Sequence, residues 1–310
     1  MKKFFLLMIT IFISYHFSLA QQTIPLYDKV PDSRADLTYK EKADMGQNGI
    51  NLVSNVSIPA ITVYRPDKNI DQHVAIIICP GGGYQYLAVG WEGSEIAEML
   101  VKWGITAIVL KYRLPSDSIM IDKAIGPLQD AQRAIQLIRM NAKKWNIDGA
   151  KIGVMGFSAG GHLASTLSTH FDEAVIDNPQ HISLRPDFSV LGYPVISMNA
   201  QLTHTGSRDA LIGANPDHAL VEKFSNELHI SKNTPPTFIV LASDDKTVNP
   251  LNSIFYYEAL LKNNVPVEMH IYQNGGHGFA SNAGAVGDNW MDRLQHWLQH
   301  NHYLNQESKQ

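Results

Sequence analysis

Three polar residues, each placed just after an apolar run, carry the reactive potential of this sequence. Ser158 stands in Gly156-Phe157-Ser158-Ala159-Gly160, preceded by the apolar run 152–155 and followed by a helix-compatible stretch. A strand that runs through G-x-S-x-G into a helix is the pattern of a nucleophile elbow, a strained turn that leaves a serine Oγ exposed. The flanking glycines have a steric reason, because strand and helix pass too close there for side chains. A bare G-x-S-x-G also occurs as an ordinary Gly-Ser turn, and the flanking strand and helix decide for the reactive reading. A serine hydroxyl is a poor nucleophile at neutral pH and needs an adjacent base, itself oriented by a third group. His277, in Gly275-Gly276-His277-Gly278-Phe279, follows the strand-like run 267–272. An acid, Asp244 or Asp245, follows the strand-like run 237–242. In that constellation the histidine takes the serine proton and returns it to the leaving group, while the acid fixes the tautomer.

Such residues need a scaffold, and the alternation of apolar runs with helical spacing supplies one. Strands are expected at 73–79, 105–111, 151–157, 187–192, 237–242 and 267–272. Helices are expected at 94–103, 127–145, 159 onward, 251–262 and 289–300. Strands separated by helices over this length predict an α/β fold, a doubly wound, mostly parallel sheet with helices on both faces. In such sheets ligands meet the carboxyl ends of the strands, which is where Ser158, the acid and His277 fall. Residues 38–63 are expected as an antiparallel lead-in at one edge. Residues 197–234, with interleaved Pro, Gly, Asn and Asp, are expected as a cap or rim over the site.

The N-terminus concerns address rather than fold. Met1-Lys2-Lys3, an almost unbroken apolar run 4–17 and Ser18-Leu19-Ala20 before Gln21 have the layout of a cleavable secretory signal. This predicts an exported, periplasmic or secreted protein. Residues 21–310 are then expected to form one catalytic domain. The apolar run is too short for a membrane span, and no later run has spanning length. The residue directly after the expected cleavage site is Gln21 rather than cysteine, which argues against a lipid anchor. A net charge of −4, with scattered Lys and Arg, argues against a nucleic-acid or anionic-membrane partner. Cys79 is the only cysteine, so no internal disulfide forms, and its place at the end of an apolar strand reads as a buried thiol.

These motifs together resemble the α/β-hydrolase family, and more narrowly its branch of exported acetylxylan and feruloyl esterases. The likeness rests on Pro80-Gly81-Gly82-Gly83-Tyr84, Lys111-Tyr112-Arg113-Leu114 and Asp130-Ala131 with the helix that follows. It rests equally on Gly156 to Ser165, Asp245-Lys246-Thr247-Val248 and His277-Gly278-Phe279. The resemblance implies an α/β-hydrolase fold from about residue 73 to the C-terminus and a Ser-Asp-His triad. Its D-x-x-V spacing favours Asp245 over Asp244 as the acid. It also implies an oxyanion hole from the N–H groups of Ala159, Gly82 and Gly83. Pro80 stands where many relatives carry histidine, which leaves that loop intact because backbone N–H groups do the work.

Other polar and aromatic residues have less to say. His162, one helical turn after Ser158, is expected to pack under the elbow helix rather than act. His296, His300 and His302 have a spacing that could hold a metal, but no acidic or cysteine set accompanies them, and a solvated face is the expected role. Tyr112-Arg113 reads as a structural strand-end pair. Tyr84, Trp91 and Tyr193 could face a sugar or pack in the core. The resulting expectation is a secreted serine carboxylesterase that removes small acyl groups, above all acetyl, from plant polysaccharide such as xylan, with no metal or cofactor. Its partner would be an acylated carbohydrate. Feruloyl or general short-chain esterase activity is the alternative. A peptidase of this fold would be expected to carry a propeller domain for which there is no room. A non-catalytic binding protein would be expected to have lost one of the triad residues.

Overall fold

The computed structural model describes residues 21–45 and 51–306; the secretory-signal reading of residues 1–20 falls outside the described residues. The strands are β1 (Gln22–Pro25), β2 (Lys42–Met45), β3 (Asn51–Ser54), β4 (Ala60–Tyr64), β5 (Val74–Cys79), β6 (Tyr86–Leu87), β7 (Ile105–Lys111), β8 (Ile152–Phe157), β9 (Ser189–Gly192), β10 (Thr237–Ala242) and β11 (Val267–Tyr272). The helices are α1 (Glu95–Lys102), α2 (Gly126–Asn141), α3 (Ala159–Thr169), α4 (Thr205–Ile212), α5 (His218–Lys223), α6 (Leu251–Lys262) and α7 (Trp290–His300).

An eight-stranded sheet in the order β1-β4-β7-β5-β8-β9-β10-β11 organises the molecule. From β7 to β11 in that order the neighbours run parallel. β5, β8 and β10 are buried at every position, which explains their unbroken apolar sequences: with helices on both faces, neither side meets water. α1 packs on β7, α3 on β8 and β9, and α7 on β10.

Two expectations need correction. The antiparallel lead-in at 38–63 divides in two. β4 pairs with β7 at the sheet edge and carries β1 outside it, while β2 and β3 form a separate small sheet with β6. All four residues of β2 are exposed, so it contributes nothing to the core of the main sheet. The long helix expected to reach Trp145 ends at Asn141 and continues as turns, closed by Asn146 in the left-handed conformation at φ 60°.

A buried ion pair fastens the chain between β7 and α2. The Arg113 guanidinium donates to Asp130 through Nε and Nη2, at 3.1 and 2.9 Å to Oδ1, with both side chains almost wholly out of solvent. Gln129 Oε1 and the Pro31 carbonyl take further guanidinium protons, so the buried charge leaves no donor idle on that side. The neighbouring Tyr112 O–H donates to the Pro80 carbonyl at 2.7 Å and so fixes the start of the glycine-rich loop. Among the described residues no helix is long and apolar enough to cross a membrane.

Candidate active site

Ser158 sits between β8 and α3 with φ 53° and ψ −120°, a conformation that costs an L-residue energy and is held by its surroundings. Three backbone bonds hold it: the Ser158 N–H donates to the Gly192 carbonyl at 3.1 Å, and the Val195 and His162 N–H groups donate to the Ser158 carbonyl at 3.0 and 3.2 Å. The turn requires glycine where α3 begins. A Cβ on Gly160 would stand 2.0 Å from the Cys79 carbonyl oxygen, so any side chain would force the elbow away from β5.

His277 lies in the loop after β11. Its Nε2 accepts the Ser158 hydroxyl at 2.9 Å, and its Nδ1–H donates to Asp245 Oδ2 at 2.7 Å. Asp245, in the loop after β10, receives the Thr247 and Val248 N–H groups on its other oxygen, at 2.8 and 3.0 Å. Asp244 points elsewhere: its Oδ1 takes the Gly276 N–H at 2.8 Å. The two neighbouring aspartates therefore divide the work on the His277 loop, one holding the imidazole and the other the backbone before it. Because a carboxylate accepts at Nδ1, the neutral ring carries its proton there and leaves Nε2 free to take the serine proton.

The three N–H groups expected to face an oxyanion are available. Among the described residues no acceptor takes the N–H of Gly82, Gly83 or Ala159, whereas the Gly81 N–H is bound by Glu92 Oε2 at 2.6 Å. Gly82 turns at φ 128°, a conformation only glycine takes up readily. Ala159 is the first residue of α3, whose N-terminal end favours developing negative charge. The arrangement suits attack on an acyl carbon, with Ser158 as nucleophile, His277 as base and preformed donors for the oxyanion.

The three aromatics that could face a sugar separate. Tyr84 and Tyr193 are core residues, 2% and 1% exposed, which corrects the sugar-facing alternative for both. Each hydroxyl finds its partner inside. Tyr84 O–H donates to His162 Nδ1 at 2.9 Å, and Tyr193 O–H donates to Glu92 Oε1 at 2.7 Å with its ring edge-on to His277. Trp91 is part-exposed and donates its indole N–H to the Gly278 carbonyl at 2.6 Å, which pins the His277 loop. His162 is buried beneath the elbow, its Nε2–H on the Phe224 carbonyl at 2.8 Å. Burial pushes its pKa down to about 4, so it is neutral and structural. His296, His300 and His302 are exposed on and just after α7.

Two residues of the site had no role in the sequence reading. Glu92 lies in a single π-helical turn, Gly90–Ser94, before α1 and is 5% exposed. The one available signal was a lone acid among small and apolar residues in Leu87-Ala88-Val89-Gly90-Trp91-Glu92-Gly93. His204, within the rim segment 197–234, caps α4 with its ring. Its Cε1 stands 3.7 Å from the position a Cβ would take on Gly83, which places it against the oxyanion loop.

Known proteins share this arrangement of elements. Residues 61–260 match the family described as BD-FAE. The chain is 38% identical to the acetyl ester-xyloside bifunctional hydrolase of Caldicellulosiruptor lactoaceticus, and the two structures agree with a TM-score of 0.78 over 92% of this chain and 97% of that one. It is 36% identical over 229 residues to an acetylxylan esterase of Xylanibacter ruminicola, covering 72% of this chain and 45% of that protein. It is 38% identical over 224 residues to endo-1,4-beta-xylanase B of Butyrivibrio fibrisolvens, covering 71% of this chain and 34% of that protein. The chain thus spans less than half the length of these two curated relatives. The family match extends from β4 through most of α6 and takes in the glycine-rich loop, the elbow and Asp245, and on that match the chain belongs to the BD-FAE family of the α/β-hydrolase fold.

Proposed function

We propose that this protein is a serine carboxylesterase that removes acetyl or other small acyl groups from xylan-type polysaccharide or its oligosaccharides. The observation that carries this reading is the hydrogen-bonded line Ser158–His277–Asp245, together with N–H groups of Gly82, Gly83 and Ala159 that meet no acceptor among the described residues. Ser158 Oγ attacks the ester carbon as His277 Nε2 takes its proton, and the carbonyl oxygen becomes an oxyanion held by those three N–H groups. His277, now an imidazolium paired with Asp245, gives the proton to the leaving sugar oxygen and leaves an acyl-enzyme. Water, activated by the same imidazole, repeats the sequence and releases the acid.

The substrate side rests on the relatives and on the rim. The names acetylxylan esterase and acetyl ester-xyloside bifunctional hydrolase belong to those relatives and favour an acetylated xylo-saccharide here. Around α4 and α5 the chain presents Asn199, Gln201, Asn215 and Asp217 to solvent, with His204 and Arg208 half-buried. A polar rim can meet sugar hydroxyls and gives little cover to a long acyl chain. Export after removal of residues 1–20 fits a polymer substrate outside the cytoplasm, and N-terminal sequencing of the mature protein checks it, with Gln21 as the expected first residue.

The deciding experiment compares kcat/KM on p-nitrophenyl acetate, p-nitrophenyl octanoate and a feruloyl ester, and follows acetate release from acetylated xylo-oligosaccharides. Acetate should be preferred and released. Preference for octanoate without release from the oligosaccharides rejects the carbohydrate reading, and preference for the feruloyl ester moves the enzyme to the neighbouring activity.

A further inference from the structure

Glu92 is a buried acid with no place in the triad, and the site is built around it. Its carboxyl group is met by two donors from two different loops: Gly81 N–H on Oε2 at 2.6 Å and Tyr193 O–H on Oε1 at 2.7 Å. Gly81 opens the oxyanion loop and lies against the nucleophile, since a Cβ built there would stand 2.9 Å from Ser158 Cβ. Tyr193 follows β9, stacks its ring edge-on to His277 with centroids 4.8 Å apart, and accepts the Ala280 N–H at 3.2 Å. The adjacent Trp91 reaches the same loop through the Gly278 carbonyl. One π-helical turn thus ties the oxyanion loop to the segment that follows His277. Such turns widen a helix by one residue and recur at functional sites.

The donor inventory sets the charge of the carboxyl group. Tyr193 Oη already accepts from Ala280 and donates its own proton to Glu92. A proton on the acid would face two donors and no acceptor, so the bonds fit the carboxylate. Burial works the other way and raises the pKa of Glu92, while the Tyr193 and Gly81 bonds and the nearby His277 oppose that rise. The groups around His277 are then Asp245 from the loop after β10, Glu92 from the π turn, Tyr193 from the segment after β9, His204 from the rim and Ser158 from the elbow.

We propose that Glu92 is a positioning residue for ester hydrolysis: as a carboxylate it locks the oxyanion loop and the His277 loop into one frame, and its charge stands behind the imidazolium that forms during acyl transfer. The proposal rests on the esterase reading for its kinetic consequences, but its electrostatic half can be read without any substrate.

Glu92→Gln keeps the volume and a carbonyl acceptor and removes the charge. The His277 ring, followed by NMR and assigned with a His277→Gln variant, should titrate lower in Glu92→Gln than in the wild type by at least about half a pH unit. The sign follows from the loss of a negative charge near a cation. On p-nitrophenyl acetate the acid limb of kcat/KM should move to lower pH by the same amount, with kcat down about tenfold and KM little changed, as expected for an interaction strongest in the transition state. Tyr193→Phe cuts the tie but leaves the carboxyl group and its Gly81 N–H bond in place, and should lower kcat with a smaller change in the His277 titration than Glu92→Gln gives. An inactive wild type would sink the esterase reading yet leave the titration to decide here. A His277 titration in Glu92→Gln that matches the wild type, or a Tyr193→Phe enzyme with wild-type kcat, overturns the proposal.

Discussion

The elbow helix and the rim are both rich in polar residues, yet they treat them in opposite ways. In α3 every residue from Ala159 to Thr169 is buried, and its hydroxyls are spent internally: Ser165 and Thr166 donate to the His162 carbonyl and Ser168 to that of Ala164. Asn226 crosses over to bond Ser165, Thr166 and the His162 carbonyl, so the helix that follows Ser158 is fixed by satisfied polar contacts as well as by packing. In the rim, α5 buries no residue at all, and α4 buries only Ser207, Leu211 and Ile212. The contrast separates two duties. Where atoms must be held within tenths of an ångström the chain has no freedom, and where the rim faces solvent the side chains can vary.

The sharpest way to break that contrast is to remove the hydroxyl of Ser158, the proposed nucleophile. Ser158→Ala should fold as the wild type does, since the hydroxyl makes one bond and the turn is set by backbone contacts, yet lose about 10⁶ in kcat because triad members act as a unit. A serine-directed phosphonate should label the wild type once and this variant not at all. Labelling of another serine, or an active variant, would remove the elbow from the chemistry.

The two aspartates test the same distinction inside one loop. Asp245→Asn should cost about 10⁴ in kcat by favouring the wrong imidazole tautomer, whereas Asp244→Asn, which can still accept the Gly276 N–H, should cost about tenfold or less. Reversed effects would assign the imidazole to Asp244.

Those two residues also show where sequence reading runs out. Ser158 and His277 were legible because glycines flank each of them, and the glycines answer to backbone demands that leave a mark in residue type. Asp244 and Asp245 are the same residue one step apart. Register decides between them: the Ser243 N–H donates to the Tyr272 carbonyl at the end of the β10–β11 pairing, and the next two carboxylates diverge from there. Tyr84 misled for a related reason. At φ 60° it turns into the core toward His162, while Tyr86, two residues on, is 41% exposed. Glu92 left little trace, since an acid just before a helix ordinarily faces water, and its burial follows from the π turn that brings Gly81 and Tyr193 to it. The parallel sheet was plain from unbroken apolar strands, whereas β2 and β3, four residues each, are too short to say which sheet they join.

A medium-sized effect should appear in stability rather than rate. Burial lowers His162 from 6.5 to about 4 in the folded protein, so the unfolded chain takes up a proton first as pH falls. The neutral ring contributes its full stability above about pH 6.5, and that contribution is lost as pH drops toward 4. Between pH 7 and pH 5 the wild type should therefore lose about 2 kcal/mol more unfolding free energy than His162→Gln, measured by urea titration. Equal slopes for the two proteins would mean that the pocket under the elbow admits water, and would weaken the claim that this half of the site is rigid.

The smallest effect belongs to the rim, and it sharpens the comparison most. His204 Nδ1 accepts both the Ser207 N–H, at 3.3 Å, and the Ser207 hydroxyl, at 2.8 Å, so the neutral ring carries its proton on Nε2. Burial and the nearby His277 lower its pKa, which keeps it neutral at pH 7 and makes it a donor rather than a charge beside the Gly83 loop. A donor at the mouth should matter for a sugar hydroxyl more than for a nitrophenyl leaving group. His204→Ala should lower kcat/KM on acetylated xylo-oligosaccharides about five- to tenfold, the worth of one neutral hydrogen bond, and lower it clearly less on p-nitrophenyl acetate. Equal losses on the two substrates would place His204 with the elbow, as part of the reacting frame. The boundary between fixed chemistry and variable recognition would then lie further out, beyond the first turn of α4.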